Sequence, residues 1–322
     1  MGKKYFAISD IHGFYDEMTL ALTNAGFELD NPEHILIVCG DIFDRGKKPL
    51  EVYSFLRSLP KERRILIKGN HEALLNDLWL RGHEEDHDLH NRTYDTLCSI
   101  AKIRSETEWA KLAYVKRLNA WKLDADKCEK VLDSIDEELI KRRHKVFHCK
   151  KAKEIIDWIN SDEWVNYFEL GKFIFVHSFI PLKQEFTEHW GRLYPETDPE
   201  YNPDWRQNAT NAEWDRAIWG CPWRLYDAGF FDQEKEKGKV LVCGHWHSSD
   251  FWNSFKGTKK DTYTDNPIFY DPDFNIIALD ACTVTSGYIN VLVVESDDCI
   301  EIHDGRPMEA YPMEIYPTEE EQ

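Results

Sequence analysis

His34-Ile35-Leu36-Ile37-Val38-Cys39 is a short, β-rich apolar run, and Gly40-Asp41-Ile42-Phe43-Asp44-Arg45-Gly46 follows it directly. A continuous apolar run without alternation reads as a strand covered on both faces, as in an α/β sheet. The same grammar occurs on either side. Lys4–Ser9 (KYFAIS) leads into Asp10-Ile11-His12-Gly13, and Arg63–Lys68 (RRILIK) leads into Gly69-Asn70-His71-Glu72. Between these runs, residues 14–27 (FYDEMTLALTNAGF) and 48–59 (KPLEVYSFLRSL) carry apolar positions at helical spacing, the first with Gly26 as a C-cap. The pattern is βαβαβ. Ligands of α/β sheets gather at the C-terminal strand ends, where Asp10, Asp41 and Asn70 stand.

Strand texture returns at residues 171–178 (GKFIFVHS), 239–244 (KVLVCG), 274–280 (FNIIALD), 288–295 (YINVLVVE) and 299–304 (CIEIHD). Two of these again end on imidazoles, at Val176-His177-Ser178 and Gly244-His245-Trp246-His247. From about Leu74 to Trp164 the chain is charged, helix-favouring and almost free of Gly and Pro. A single domain over 1–322 with a helical, cap-like insertion at 80–165 is therefore expected. The Pro-, Asn- and Trp-rich stretch at about 181–238 is expected to form long surface loops. The acidic C-terminal tail is expected to fray.

Of the 322 residues, 42% are hydrophobic and 13% aromatic, which excludes a mainly disordered chain. A formal net charge of −19 opposes bulk nucleic-acid binding and anionic membranes, both of which call for a basic patch. An acidic protein still takes phosphorylated substrates where cations and a few Arg residues reverse the sign locally. The opening residues carry no apolar run long enough for a signal peptide, no segment approaches a membrane span, and the myristoylation pattern is absent, so a cytoplasmic protein is expected. The 8 cysteines lack CxxC pairing and read as reduced thiols rather than a disulfide framework or zinc site.

Asp10, His12, Asp41, Asn70, His177 and His245 form a ligand set suited to two divalent cations roughly 3.5–4 Å apart, one carboxylate bridging them. Asp41 is the expected bridge. Any one of these residues alone has a plainer reading, since a lone Asp after a strand is usually a helix cap and a lone His a satisfied core residue. Five such elements in order, each at a strand end, are hard to explain that way.

The series SDIHG, GDIFDRG, GNHE, VHS and GHWH resembles the calcineurin-like metallophosphoesterase superfamily, and GDxxDRG with GNHE is similar to its phosphoprotein phosphatase branch. Bacterial serine/threonine phosphatases and symmetrical dinucleoside tetraphosphatases share that pattern. The resemblance implies a four-layer αββα β-sandwich with the helical stretch elaborating the site. It implies that Asp10, His12 and Asp41 hold one metal while Asp41, Asn70, His177 and His245 hold the other. His247 enters the set as the second His of a GHxH element, which many superfamily members place on the first metal; the phosphatase branch commonly has another residue there. Manganese is the metal expected first, with iron, zinc or magnesium as alternatives. Metal-activated hydroxide would attack phosphorus, His71 would protonate the leaving group with Asp44 orienting its ring, and Arg45 would grip the phosphoryl oxygens. A second arginine is expected from later in the chain. Arg224 is its first candidate and Arg216 the other.

VHSF and LDACT stand where the family more often reads VHAG and IDTG. The leading expectation is a hydrolase for phosphoserine or phosphothreonine in proteins, or a small phosphoester. The second is a dinucleoside polyphosphate or other nucleotide hydrolase. The third, an inactive metal-binding interaction module, does not explain why His71, Asp44 and Arg45 are all present. The His-rich run at 81–90 reads as a solvated loop, and the tryptophans Trp190, Trp205, Trp214, Trp219 and Trp223 as core packing rather than a stacking platform. Cys221 lacks the CxxxxxR pattern of a cysteine phosphatase.

Overall fold

The computed structural model describes residues 2–189, 192–296 and 299–305. Strands β1 (Lys4–Ile8), β2 (His34–Cys39), β3 (Arg64–Ile67) and β4 (Trp164–Val165) lie parallel in one sheet. That sheet is closed on the other side by the antiparallel strands β12 (Val291–Ser296) and β13 (Cys299–His303), giving the order β13-β12-β1-β2-β3-β4. A second sheet has the order β10-β11-β9-β6-β5, from β5 (Tyr167–Leu170), β6 (Phe173–Val176), β9 (Val240–Cys243), β10 (Phe269–Asp271) and β11 (Ile276–Ala278). Its three central strands, β6, β9 and β11, are parallel.

Period-2 burial assembles these sheets into four layers. Ala7, Ile37, Cys39 and Ile67 of the first sheet meet Phe173, Phe175, Val240 and Val242 of the second in one buried cluster. The alternate residues Phe6, Ile8, Leu36, Val38 and Leu66 point the other way, against α1 (Tyr15–Asn24), α2 (Pro49–Ser58) and further helices. On the far side, Ile174, Val176, Leu241 and Cys243 pack with residues of the later loops and helices. Both faces of each central strand are covered, which is why their sequences are apolar throughout. The αββα architecture expected from the resemblance is present.

Between β3 and β4 run six helices, α3 (Asn70–Arg81), α4 (Asp86–His90), α5 (Thr93–Ile100), α6 (Glu106–Ala120), α7 (Ala125–Phe147) and α8 (Lys150–Ile159). Helical structure thus starts ten residues before position 80, at Asn70 itself. The Glu72 side chain accepts the Gly69 N–H at 2.9 Å, so the GNHE element opens α3 as well as carrying side chains to the site.

The 181–238 stretch differs from the surface loops expected. It contains the hairpin β7 (Phe186–His189) and β8 (Arg192–Pro195) and the short helices α9 (Trp205–Asn208), α10 (Asn211–Ala217) and α11 (Pro222–Leu225). Trp205 is fully buried and Trp214 nearly so, packed with Tyr167 and Phe230. A buried Glu236 carboxylate accepts from Tyr201, Trp205 and Arg206, which ties this segment to itself without a periodic pattern, and Arg206 also donates to Glu169 of β5 in the second sheet. Trp190 and the tail at 306–322 lie outside the described residues. Helices α12 (Ser248–Lys256) and α13 (Thr283–Ser286) complete the chain's helical elements among those residues.

Candidate metal centre

The C-terminal ends of β1, β2 and β3 in one sheet and of β6 and β9 in the other open on the same rim. Their following residues, Asp10, Asp41, Asn70, His177 and His245, converge there from opposite sheets, not from the edge of a single open sheet. To turn so sharply, the chain holds Asp10, His12, Asp41, Asp44, Arg45 and His245 in the left-handed backbone region, at φ 51, 48, 55, 70, 62 and 66°. Such conformations cost on the order of 1 kcal/mol or more each in a non-glycine residue and persist only where neighbours impose them. Here the loops brace one another. Asp10 N–H donates to Gly40 O, His12 N–H to Asp41 O and Gly46 N–H to His12 O, at 3.2, 2.9 and 2.7 Å. Gly244 is needed for close approach, because a Cβ there would collide with the Asp10 carboxylate.

Asp41 is the centre of the arrangement. Its Oδ1 lies 3.4 Å from His177 Nε2, while its Oδ2 lies 3.8 Å from His12 Nε2 and 3.9 Å from His71 Nε2. The two oxygens therefore face two triads, His12–Asp41–His71 and Asp41–His177–His245, whose donor atoms lie within 4.8 Å of one another. Asp10 Oδ1 stands 4.0 Å from His12 Nε2, and Asn70 Oδ1 2.8 Å from His177 Nε2. The cap reading of Asp41 also holds, since Oδ1 accepts the His71 N–H at 2.9 Å at the start of α3.

The ring orientations suit cation binding. His12 Nδ1 is 2.8 Å from Phe43 O and His177 Nδ1 2.8 Å from Cys39 O, which directs each Nε2 inward. Burial, with the neighbouring His71 and Arg45, holds His12 well below the usual imidazole range; burial and His177 lower His245 to about 3. Both shifts favour the neutral ring, the form that ligates. Asp10 is pushed well up by burial and by the charges of Asp280 and Asp41. Burial also opposes ionisation of Asp41, but the surrounding imidazoles of His177, His71, His12 and His245 more than offset it and hold its carboxyl low. Crowded buried carboxylates beside neutral imidazoles, an amide oxygen among them, form a donor set that divalent cations satisfy.

A second cluster adjoins the first. His71 Nδ1 is 2.6 Å from Asp44 Oδ2, and Asp44 accepts further hydrogen bonds from Thr93 Oγ1 at 2.8 Å and Thr96 Oγ1 at 2.7 Å. Burial lowers the His71 pKa, but Asp41 and Asp44 outweigh it, and the ring ends above its ordinary value. Arg45 reaches across, its guanidinium 3.2 Å from the Nε2 atoms of both His12 and His71. Trp219, 49% exposed, stands edge-on to His245 with centroids 5.5 Å apart.

A model of the calcineurin-like phosphoesterase family matches residues 3–249, a span that contains both triads, Asp10, Asn70 and the His71–Asp44–Arg45 cluster. The chain belongs to that family. Calcineurin-like phosphoesterases use a binuclear divalent metal centre, and His12 on one side of Asp41 and His177 and His245 on the other are candidate ligands for one. The chain is 39% identical over 74 residues to the asymmetrical bis(5'-nucleosyl)-tetraphosphatase PrpE of Bacillus subtilis (strain 168), covering 21% of this chain and 30% of that protein. It is 41% identical over 71 residues to a symmetrical bis(5'-nucleosyl)-tetraphosphatase of Buchnera aphidicola (22% and 24%), and 40% identical over 82 residues to Shewanella-like protein phosphatase 1 of Plasmodium berghei (22% and 23%). The matches thus span under a third of these relatives' lengths.

Among the residues expected from the phosphoesterase motifs, Asp10, His12, Asp41, Asp44, Arg45, Asn70, His71, His177 and His245 are brought together. His247 belongs to neither triad. It precedes α12 and turns toward Cys282, Asp280 and Asp250, which overcome the effect of burial and raise it to about 9. Arg224 is exposed on α11, without an ion pair to the cluster among the described residues, and Arg216 lies over the Phe186 ring, 4.8 Å from its centroid. Three participants had no assigned role in the sequence. Glu72 accepts the N–H groups of Asp41, Ile42 and Gly69 at 2.9–3.0 Å, and burial and Asp41 push it up to about 7. Its place within GNHE was its only signal. Thr93 and Thr96 come from the helical insertion and had none.

Proposed function

We propose that this chain is a hydrolase of phosphomonoesters, with phosphoserine and phosphothreonine side chains of proteins as its leading substrates. The observation that carries this reading is the His71–Asp44 pair at 2.6 Å, set beside a carboxylate that faces two ligand triads. A binding module needs the triads but not a buried, carboxylate-oriented imidazole.

Asp10, His12 and Asp41 would hold one divalent cation, manganese in our proposal, and Asp41, Asn70, His177 and His245 the other; bound there, the cations would polarise the phosphoryl oxygens and acidify water. His247 stays outside this set. Arg45 binds the phosphoryl group through its planar fork and stabilises the charge that moves onto its oxygens. His71, whose cationic form Asp41 and Asp44 favour, would give its Nε2 proton to the departing oxygen. Asp44 keeps the ring aimed, and Thr93 and Thr96 keep Asp44 aimed. Arg224, five residues beyond Trp219, is the proposed second phosphate-binding residue.

A nucleotide substrate is the second reading, favoured by the tetraphosphatase relatives and by the exposed Trp219 ring at the rim, which offers a stacking face. We place the protein in the cytosol: its eight cysteines are free and no helix among the described residues is long and apolar enough to cross a membrane. The deciding experiment strips the protein of metal and reloads it in turn with Mn²⁺, Zn²⁺, Fe²⁺ and Mg²⁺. Each form is assayed on an aryl phosphate, a phosphoserine peptide and a dinucleoside tetraphosphate. Preferred turnover of the peptide supports the first reading, preference for the tetraphosphate selects the second, and no turnover of any substrate overturns both.

A further inference from the structure

Helix α6 is apolar on two opposite faces. One face packs Trp109 and Ala113 against Ile135, Val131 and Leu139 of α7, forming a small core separate from the rest of the protein. The other leaves Leu112, Val115 and Leu118 exposed at 43, 54 and 36%. Buried and exposed apolar stripes on one helix imply two partners, and α7 supplies only one.

The exposed stripe is self-complementary about Val115. Leu112 and Leu118 lie three residues before and after it, and Glu108 and Lys122 lie seven before and after. An antiparallel copy of the helix, related by a two-fold axis through Val115, would put Leu112 against Leu118 and Glu108 against Lys122, twice each. Lys111, four residues before Val115, would face the neutral Asn119. Lys116 pairs with Glu138, Arg117 with Asp136 and Lys127 with Asp124, whereas Glu108, Lys111 and, in the turn that follows α6, Lys122 are exposed and have no ion-pair partner among the described residues.

We propose that a second copy of this chain covers the exposed face of α6, forming an antiparallel, two-fold dimer centred on Val115. This inference is independent of the catalytic reading. Covering these residues together with the flanking Glu108, Lys111, Asn119 and Lys122 in both copies would bury on the order of 1,000 Å², the low end for a specific interface. The dimer should therefore be reversible, with a Kd in roughly the micromolar range.

Sedimentation velocity of the full chain across about 1–100 µM tests it, with a concentration-dependent shift from monomer to dimer expected. Val115→Glu should abolish the dimer. Glu108→Lys or Lys122→Glu alone should weaken it about tenfold, and the double variant Glu108→Lys/Lys122→Glu should recover most of that loss. Because all these side chains are exposed, the variants should fold, and unchanged circular dichroism checks this. In a Cys299→Ser background, Val115→Cys should form a disulfide-linked dimer under mild oxidation with diamide, while the parent should not. A monomer throughout the concentration range overturns the proposal. A dimer that survives Val115→Glu and resists Val115→Cys cross-linking overturns it equally, by placing the interface elsewhere.

Discussion

Nδ1 of His71 lies 2.6 Å from Oδ2 of Asp44, and both oxygens of that carboxylate are further bonded by threonines of a helix about fifty residues away. The ring is thereby fixed with Nε2 turned toward Asp41 and Arg45. Such a pair suits a proton donor, because the carboxylate both orients the imidazole and favours its charged form.

His71→Asn should leave metal content and substrate affinity near normal while lowering kcat about 10²–10⁴-fold on an alkyl ester such as phosphoserine. An aryl phosphate with an acidic phenol leaves unaided, so the loss on that substrate should be much smaller. Steady-state kinetics on the two substrates decide it. Equal losses on both, or loss of metal, would make His71 a ligand or a structural residue.

Chelation should abolish turnover, and Asp41→Asn should be the most damaging single ligand change, because Asp41 alone faces both triads. Metal per chain, read by plasma mass spectrometry, should fall well below two equivalents in that variant. Two fully occupied sites in Asp41→Asn would remove the bridging assignment.

Glu72→Ala should destabilise the fold by about 2–4 kcal/mol, since three buried backbone N–H groups would lose their acceptor. Those donors belong to Asp41, Ile42 and Gly69, so the loss should also disturb the loop that carries the Asp41 carboxylate. Denaturant unfolding and metal content should therefore fall together. A variant with native stability would show that water replaces the carboxylate without penalty.

Glu163 predicts a pH dependence away from the site. Burial pushes its carboxyl up, but hydrogen bonds from Arg64, Lys61 and Trp158 outweigh that and bring it down to about 2. A depressed folded-state pKa stabilises the protein above the unfolded value near 4.5 and is lost as pH falls toward 2. Allowing for solvent screening, Glu163→Gln should cost about 1–2 kcal/mol at pH 7 and progressively less below pH 4.5. Urea unfolding of both proteins at pH 7, 5 and 3 measures the gap, and a gap that widened on acidification would contradict it.

The strand ends were legible because their signal is local. HILIVC running into GD, or FIFV into H, announces a buried strand that stops on a polar group, and the βαβαβ order and the inward-facing residues follow from that. The 181–238 stretch was not legible. Its order comes from one buried carboxylate, Glu236, gathering Tyr201, Trp205 and Arg206, and from Trp205 wedged among Tyr167, Trp214 and Phe230. Contacts of that kind leave no period along the chain.

From its residues alone, this sequence determined the strand-end positions of Asp10, Asp41, Asn70, His177 and His245, because alternation of apolar cover and polar stop is a property of neighbours. Tertiary structure alone decided that these ends come from two facing sheets, that Asp41 turns one oxygen to each triad, and that His247 turns toward Asp280 and Cys282. It also decided that the helical insertion reaches back through Thr93 and Thr96 to steady Asp44. Hydrogen bonds are short and directional, so whether residues about fifty positions apart form one depends on how helix α5 packs among α2, α3 and α8, and no local pattern encodes that.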